Sequence, residues 1–173
     1  LLQGDIGFCE IISKCGLSVD RSTNGIQVDL KDEILGGDYN FNDISDTFLT
    51  LAALSPLLGT PLRISGIAHT RMQETDRVGA MATELRKLGQ DVYELDDSLQ
   101  INPTANLNKF KDRLPLSVDT YDDHRFAMSF AILGSHDLFK NGLPWIRILD
   151  PFCCRKTFPN FFDVLSNIQI KPI

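Results

Sequence analysis

Apolar positions along this 173-residue chain fall into two recurring patterns. In the first, residues at helical spacing end at a glycine and lead into two alternating stretches separated by a polar turn. Phe8–Val28 carries the pattern, and a gapless shift of 73 positions lays it on Met81–Ile101. Ile12 then meets Leu85, Lys14 meets Lys87, Gly16 meets Gly89, Val19 meets Val92, and Ile26 with Val28 meets Leu99 with Ile101. Each copy predicts a helix, a strand, a turn (Arg21–Gly25 or Asp96–Ser98) and a second strand. The glycine closes the helix because it can take the left-handed conformation.

The second pattern is an apolar helix opened by a short polar group. Asp46-Thr47-Phe48-Leu49 opens one that runs to Leu58, with Gly59 as its stop, and Asp123-His124-Arg125-Phe126 opens another that runs to Leu133, with Gly134 as its stop. Each leads into a strand (Leu62–Ile64, Trp145–Leu149), a charged loop and a further helix (Thr75–Leu88, Lys156–Ile168). A third helix-strand unit starts near Phe161-Phe162 and runs out of chain at Ile173. Lys31–Asn42 and Pro103–Ser117 read as irregular, with Gly36-Gly37 and Asn102-Pro103 as turn signals. Alternating helices and strands predict a layered α/β (α+β) domain spanning residues 1–173, without a linker or low-complexity stretch. Helices as apolar as Phe48–Leu58 and Phe126–Leu133 belong inside, with the sheets around them.

Composition narrows the class. Hydrophobic residues make up 43% and charged residues 23%, an ordinary globular balance. A net charge of -6 argues against a general nucleic-acid binder, which needs a basic surface. Any anion site must be a local concentration of positive charge on an acidic body. No apolar run has the length of a membrane span, and no signal-like start is present. Cys9 and Cys15 diverge on a helix, and Cys153-Cys154 has no standard zinc or redox spacing, so the four read as free thiols of a reduced, cytoplasmic protein. A start on Leu1 that enters directly on Gly4-Asp5 and a helix reads as a piece of a longer polypeptide.

Three polar signatures could carry chemistry. Arg71–Arg77 (RMQETDR) precedes a helix whose first turn would hold Glu74, Thr75 and Asp76. It fits a well-capped helix, and equally a carboxylate-binding loop in which two guanidiniums flank a glutamate. In Tyr121–Arg125, Asp122 or Asp123 could cap the following helix. His124 and Arg125 would then stand where free N–H groups attract anions, the histidine serving as proton donor or neutral hydrogen-bond donor. Arg155-Lys156-Thr157 precedes a helix with Pro159 in its first turn; it is either a basic solvated turn or an anion contact, and without Gly-x-x-x-x-Gly it is no nucleotide P-loop. In a repeat fold, equivalent loops face a common space, so Asp46, Arg77, Arg125 and Lys156, each at a helix start, should converge.

GIAHTRMQETDRVGAMATELRKLG (66–89), YDDHRFAM (121–128) and DPFCCRKTF (150–158) together resemble the signatures of the 5-enolpyruvylshikimate-3-phosphate synthase family. The resemblance extends in order and spacing from about Gly4 to Leu165. It implies a fold of two similar domains, each of three helix-and-strand units with buried helices (an inside-out α/β barrel). This chain would supply most of one domain as an incomplete threefold repeat, and the complementary N-terminal half would supply the other.

The implied reaction transfers the enolpyruvyl group of phosphoenolpyruvate to the 5-hydroxyl of shikimate 3-phosphate and releases phosphate, without metal or cofactor. Carried over by motif, Asp46 would contact the shikimate hydroxyls and act as base, and Glu74 would exchange the proton at the methylene carbon. Arg77 and Arg125 would clamp the phosphoenolpyruvate carboxylate, His124 would stand beside the phosphate, and Lys156 would complete the cationic wall. His69 and Gln73 fall at positions that contact shikimate 3-phosphate. Gln73 departs from the family, which usually has a lysine there; glutamine can hydrogen-bond a hydroxyl but cannot protonate carbon. Alternative readings are a non-catalytic phosphoanion-binding domain derived from such an enzyme, and the related transferase acting on UDP-N-acetylglucosamine.

Overall fold

The computed structural model describes residues 4–30, 33–104 and 107–168. Both copies of the first repeat fold as read. Helix α1 (Phe8–Lys14) is followed by strands β1 (Leu17–Ser22) and β2 (Gly25–Leu30), which form an antiparallel hairpin closed by Thr23-Asn24. The later copy is α3 (Arg77–Lys87) with β5 (Asp91–Glu94) and β6 (Ser98–Asn102), again antiparallel. Gly89 ends α3 at φ +81°, as Gly16 does after α1 at +103°. A side chain at Gly89 would also meet the Phe110 ring at 2.4 Å.

Helix α2 (Phe48–Ala53) and helix α4 (His124–Gly134) lie inside, packed on each other. In α2, Phe48, Leu49, Leu51, Ala52 and Ala53 are buried, and in α4 Phe126, Phe130 and Leu133 are fully so. Helices with this much apolar surface can only be accommodated at the centre. Strands then cover them. β3 (Gly37–Asn40), β4 (Leu62–Ser65), β6 and β5 form one sheet in the order β3-β4-β6-β5, while β7 (Leu116–Val118) pairs in parallel with β8 (Ile146–Ile148). α2 therefore crosses between the parallel strands β3 and β4, and α4 makes the same crossover between β7 and β8. Among the described residues no helix is long and apolar enough to cross a membrane.

Several expectations need correction. The segment 31–42, read as irregular, contains β3, and β7 begins inside 103–117. Residues 31–32 and 105–106 lie outside the described residues. Short parallel strands pair with partners far along the chain and leave little local periodicity. Gly36 is not a turn residue: a Cβ there would stand 2.2 Å from the Pro61 carbonyl oxygen, so the glycine permits close approach of two segments. The expected helix over 156–168 is split into a 3-10 turn, Pro151–Lys156, and helix α5, Phe161–Asn167. Pro159 stands between them and holds Phe158 out of helical conformation. Gly134 does not stop α4 but is its last residue. Among the helices, burial is extensive in α2, α3 and α4 and slight at the two ends of the chain, for α1 buries only Ile11 and α5 buries nothing. The remainder of the expected third unit, residues 169–173, lies outside the described residues.

The packing yields a direct test. Phe130→Ala, on the fully buried face of α4, should cost about 3–5 kcal/mol in urea-induced unfolding. Ile132→Ala, on the 38% exposed flank of the same helix, should cost under about 1 kcal/mol. Equal losses would mean that α4 does not lie with this face inward.

Candidate active site

The crossover topology brings the loops before α2, α3 and α4 to one end of the buried helices. Asp46 comes from the 3-10 turn Asn42–Thr47, Gln73 and Glu74 from the loop before α3, Arg77 from its first residue, and Asp123, His124 and Arg125 from the start of α4. At the centre is Arg77, 1% exposed. Its Nε donates to Asp123 Oδ2 at 2.7 Å, one terminal nitrogen to Asp46 Oδ1 at 2.8 Å and to Gln73 Oε1, and the other to Glu74 Oε2 at 2.7 Å. Burial works against the Arg77 charge, but the Asp123 bond and the charges of Asp123, Glu74 and Asp46 more than offset it, raising its pKa. Asp46 also takes a hydrogen bond from Arg125 at 2.7 Å through Oδ2, so it bridges two guanidiniums.

Local chemistry explains why Asp123 can serve Arg77. Asp123 caps α4, its Oδ1 accepting the Arg125 N–H at 2.9 Å, which leaves the other oxygen for the guanidinium. Tyr121 and Asp122 precede it in left-handed backbone, both at φ +56°, and this tight turn aims the cap inward. It also presents the Asp122 carbonyl to Lys156 Nζ at 3.4 Å.

The His124 side chain is 9% exposed, and its Nδ1 has no hydrogen-bond partner among the described residues. Asp123 Oδ1, at 3.8 Å, is too far to be one. Burial lowers the His124 pKa below the usual 6.5; Arg125 and Lys156 add to the effect while Asp123 and Glu74 oppose it. The imidazole is therefore neutral at pH 7. His69 stands to one side, exposed, with Nε2 2.9 Å from Ser45 Oγ.

The structure thus gathers Asp46, Gln73, Glu74, Arg77, Arg125 and His124 directly, links Lys156 through the Asp122 carbonyl, and leaves His69 peripheral. It differs from the sequence reading in three ways. Arg71 is not a partner of Arg77 across a shared anion. It is spent on Asp76, Glu94 and the carbonyls of Leu95 and Asp96, clamping the loop to the β5–β6 turn. Glu74 lies outside α3, which is capped by Asp76, so it is free to reach Arg77. Asp46 and Lys156 sit in 3-10 turns rather than at the first residue of a helix. Sequence reasoning saw Asp123 only as a possible cap and missed the ion pair. The available signal was a second acid beside a capping position in a chain that must neutralise a buried arginine. The two adjacent thiols take no part in the ion pairs, although Cys154 Sγ lies 3.9 Å from the His124 carbonyl oxygen; burial raises both, Cys154 to about 12, and all four cysteines are free.

Residues 1–165 match the profile described as EPSP synthase (3-phosphoshikimate 1-carboxyvinyltransferase). The chain belongs to the EPSP synthase family. A curated relative named 3-phosphoshikimate 1-carboxyvinyltransferase, from Opitutus terrae, is 48% identical over 172 residues, covering 99% of this chain and 36% of the relative. Another of that name, from Cellvibrio japonicus, is 40% identical over 168 residues, covering 96% and 37%. The chain therefore spans a little over a third of the length of these EPSP synthase relatives. A solved structure of EPSP synthase from Acinetobacter baumannii matches with a TM-score of 0.72 at 21% identity, over 94% of this chain and 38% of that one. This likeness establishes the EPSP synthase fold.

Two measurements check the geometry. Asp123→Ala should destabilise the protein by about 3–5 kcal/mol, because it strands a buried guanidinium. Asp38→Ala, which breaks the surface pair with Arg63, should stay within about 1 kcal/mol. The His124 imidazole, followed by NMR, should titrate with a midpoint below 6.5. The unfolded chain takes up that proton near 6.5 and the folded one only at lower pH, so stability should fall as pH drops from 6.5 to the folded midpoint. His124→Gln should remove this component of the loss.

Proposed function

We propose that this chain is one domain of an enolpyruvyl transferase and forms the wall that holds phosphoenolpyruvate. The transferred group passes to the 5-hydroxyl of shikimate 3-phosphate, and phosphate leaves. What carries the reading is the meeting of Asp46, Glu74, Arg77, His124 and Arg125 around one buried ion pair in a chain of the EPSP synthase family.

The residues divide the work by exposure. Arg125 is partly open and Lys156 exposed, so both can turn N–H groups toward a substrate carboxylate and phosphate. Arg77 has four of its five N–H groups engaged, which leaves one for the carboxylate. Its main service is to hold Asp46 and Glu74 in place. Asp46 accepts the proton of the attacking 5-hydroxyl as that oxygen bonds to C2 of phosphoenolpyruvate, and Glu74 delivers a proton to the methylene carbon. The product of this addition is a tetrahedral phospho-ketal. In the elimination, Glu74 takes the proton back from carbon as the C–O bond to phosphate breaks, and the proton held by Asp46 leaves with the phosphate. His124, neutral and with an unpartnered Nδ1, hydrogen-bonds the phosphate as it leaves. Gln73 cannot protonate carbon, so Glu74 carries that step, while Gln73, His69 and Asp46 meet hydroxyls of shikimate 3-phosphate. The complementary N-terminal half supplies the remaining contacts, and the complete enzyme works in the cytoplasm without a cofactor.

Phosphate release from the two substrates tests this. The chain alone should turn over neither substrate, and mixing it with the complementary half of an EPSP synthase should restore release. In the mixture, Arg125→Ala should lower kcat/KM by about 100-fold or more with the fold intact. Undiminished activity would instead favour a phosphoanion-binding module.

A further inference from the structure

Glu84 lies on α3 and takes no part in the chemistry above, yet its carboxylate is completely buried. Oε1 accepts the Tyr121 hydroxyl at 2.5 Å. Oε2 accepts the Asp119 N–H at 3.2 Å and pairs with Lys87 Nζ at 2.6 Å, and the same ammonium reaches Asp119 Oδ2 at 2.9 Å. Glu84 therefore grips the 119–122 segment at two points, one in its backbone and one at the tip of a side chain. A buried carboxylate is tolerated only when its oxygens are met in this way.

What it grips is the strained part of the site. Two consecutive residues with side chains, Tyr121 and Asp122, are held at φ +56°, a conformation that L residues seldom adopt and never without support from their surroundings. The Tyr121 ring braces edge-on against Phe126, with centroids 5.5 Å apart, but an edge contact alone does not fix the ring's direction. The hydroxyl bond to Glu84 does. Downstream of this turn hang the Asp122 carbonyl that meets Lys156, the Asp123 carboxylate that meets Arg77, and the start of α4 with His124 and Arg125.

We propose that Glu84 is a positioning residue: it latches the left-handed Tyr121-Asp122 turn to α3, and through that turn sets the spacing of Arg77, His124, Arg125 and Lys156 around the bound anion. α3 carries both Arg77, at its first residue, and Glu84, so one rigid helix holds both sides of the Arg77–Asp123 contact in register. The inference deepens the phosphoenolpyruvate reading of the site and rests on it.

The test uses the complete enzyme containing this chain. Tyr121→Phe keeps the ring against Phe126 and deletes only the hydroxyl, so it should still fold, with a melting temperature lowered by the loss of one partner of the buried Glu84 carboxylate. Its KM for phosphoenolpyruvate should rise, roughly tenfold, because the anion contacts of His124, Arg125 and Lys156 lose their register. KM for shikimate 3-phosphate should stay within about twofold, since Asp46, His69 and Gln73, the residues assigned to that substrate, lie outside the 119–122 segment. Glu84→Gln should show the same bias, and the double variant should be no worse than Glu84→Gln alone, because both changes cut one link. An unmoved phosphoenolpyruvate KM in Tyr121→Phe would overturn the latch, as would equal rises for both substrates. If the parent enzyme releases no phosphate from the two substrates, it is the proposed function that fails. The latch is then judged by the His124 titration: a midpoint moved by Tyr121→Phe supports it, and an unmoved midpoint overturns it.

Discussion

A guanidinium with almost none of its surface in water must find its counter-charges inside the protein, and Arg77 finds them on three separate segments. Asp123 is the deepest and has no solvent contact of its own. Neither charge is tolerable alone at this depth, so parting the first turns of α3 and α4 would strand a buried charge, a cost that no surface pair carries. Asp46 and Glu74, each more than a third exposed, then attach to a fixed point instead of moving with their loops. The site's geometry follows from this one contact.

The fold makes that contact possible. α2 and α4 are too apolar to lie on a surface, and as crossovers between parallel strands they enter the core from the same end. Their polar opening residues are thereby left together at the rim. The cations at that rim, Arg77, Arg125 and Lys156, are matched by as many carboxylates, Asp46, Glu74 and Asp123, so an anion is met by the N–H groups that Arg125 and Lys156 can still turn toward it rather than by net positive charge. The division between Arg77, buried with four of its five N–H groups engaged, and Arg125 with Lys156, more open and reachable, separates holding the site from meeting a ligand.

Arg71 illustrates what sequence spacing does not convey. It and Arg77 bracket Glu74 symmetrically along the chain, but the backbone turns between them. Arg71 faces the β5–β6 turn, and Arg77 faces the core. Asp122 and Asp123 are likewise indistinguishable as letters, and only the left-handed turn selects Asp123 as both cap and counter-ion. Glu84, on paper an ordinary polar residue of an amphipathic helix, has a completely buried carboxylate that receives the Tyr121 hydroxyl.

By itself the sequence determined the helices with a strong apolar period, the two helix-strand-turn-strand repeats with their closing glycines, and the three polar motifs that mark the family. These are encoded within a few turns of chain, where spacing alone sets which residues share a face. Tertiary structure decided the short parallel strands β3 and β7, the fate of Arg71, the pairing of Arg77 with Asp123 and the burial of Glu84. Each of these depends on a partner at least 20 residues away, and a contact at that range exists only once the core has closed around α2 and α4.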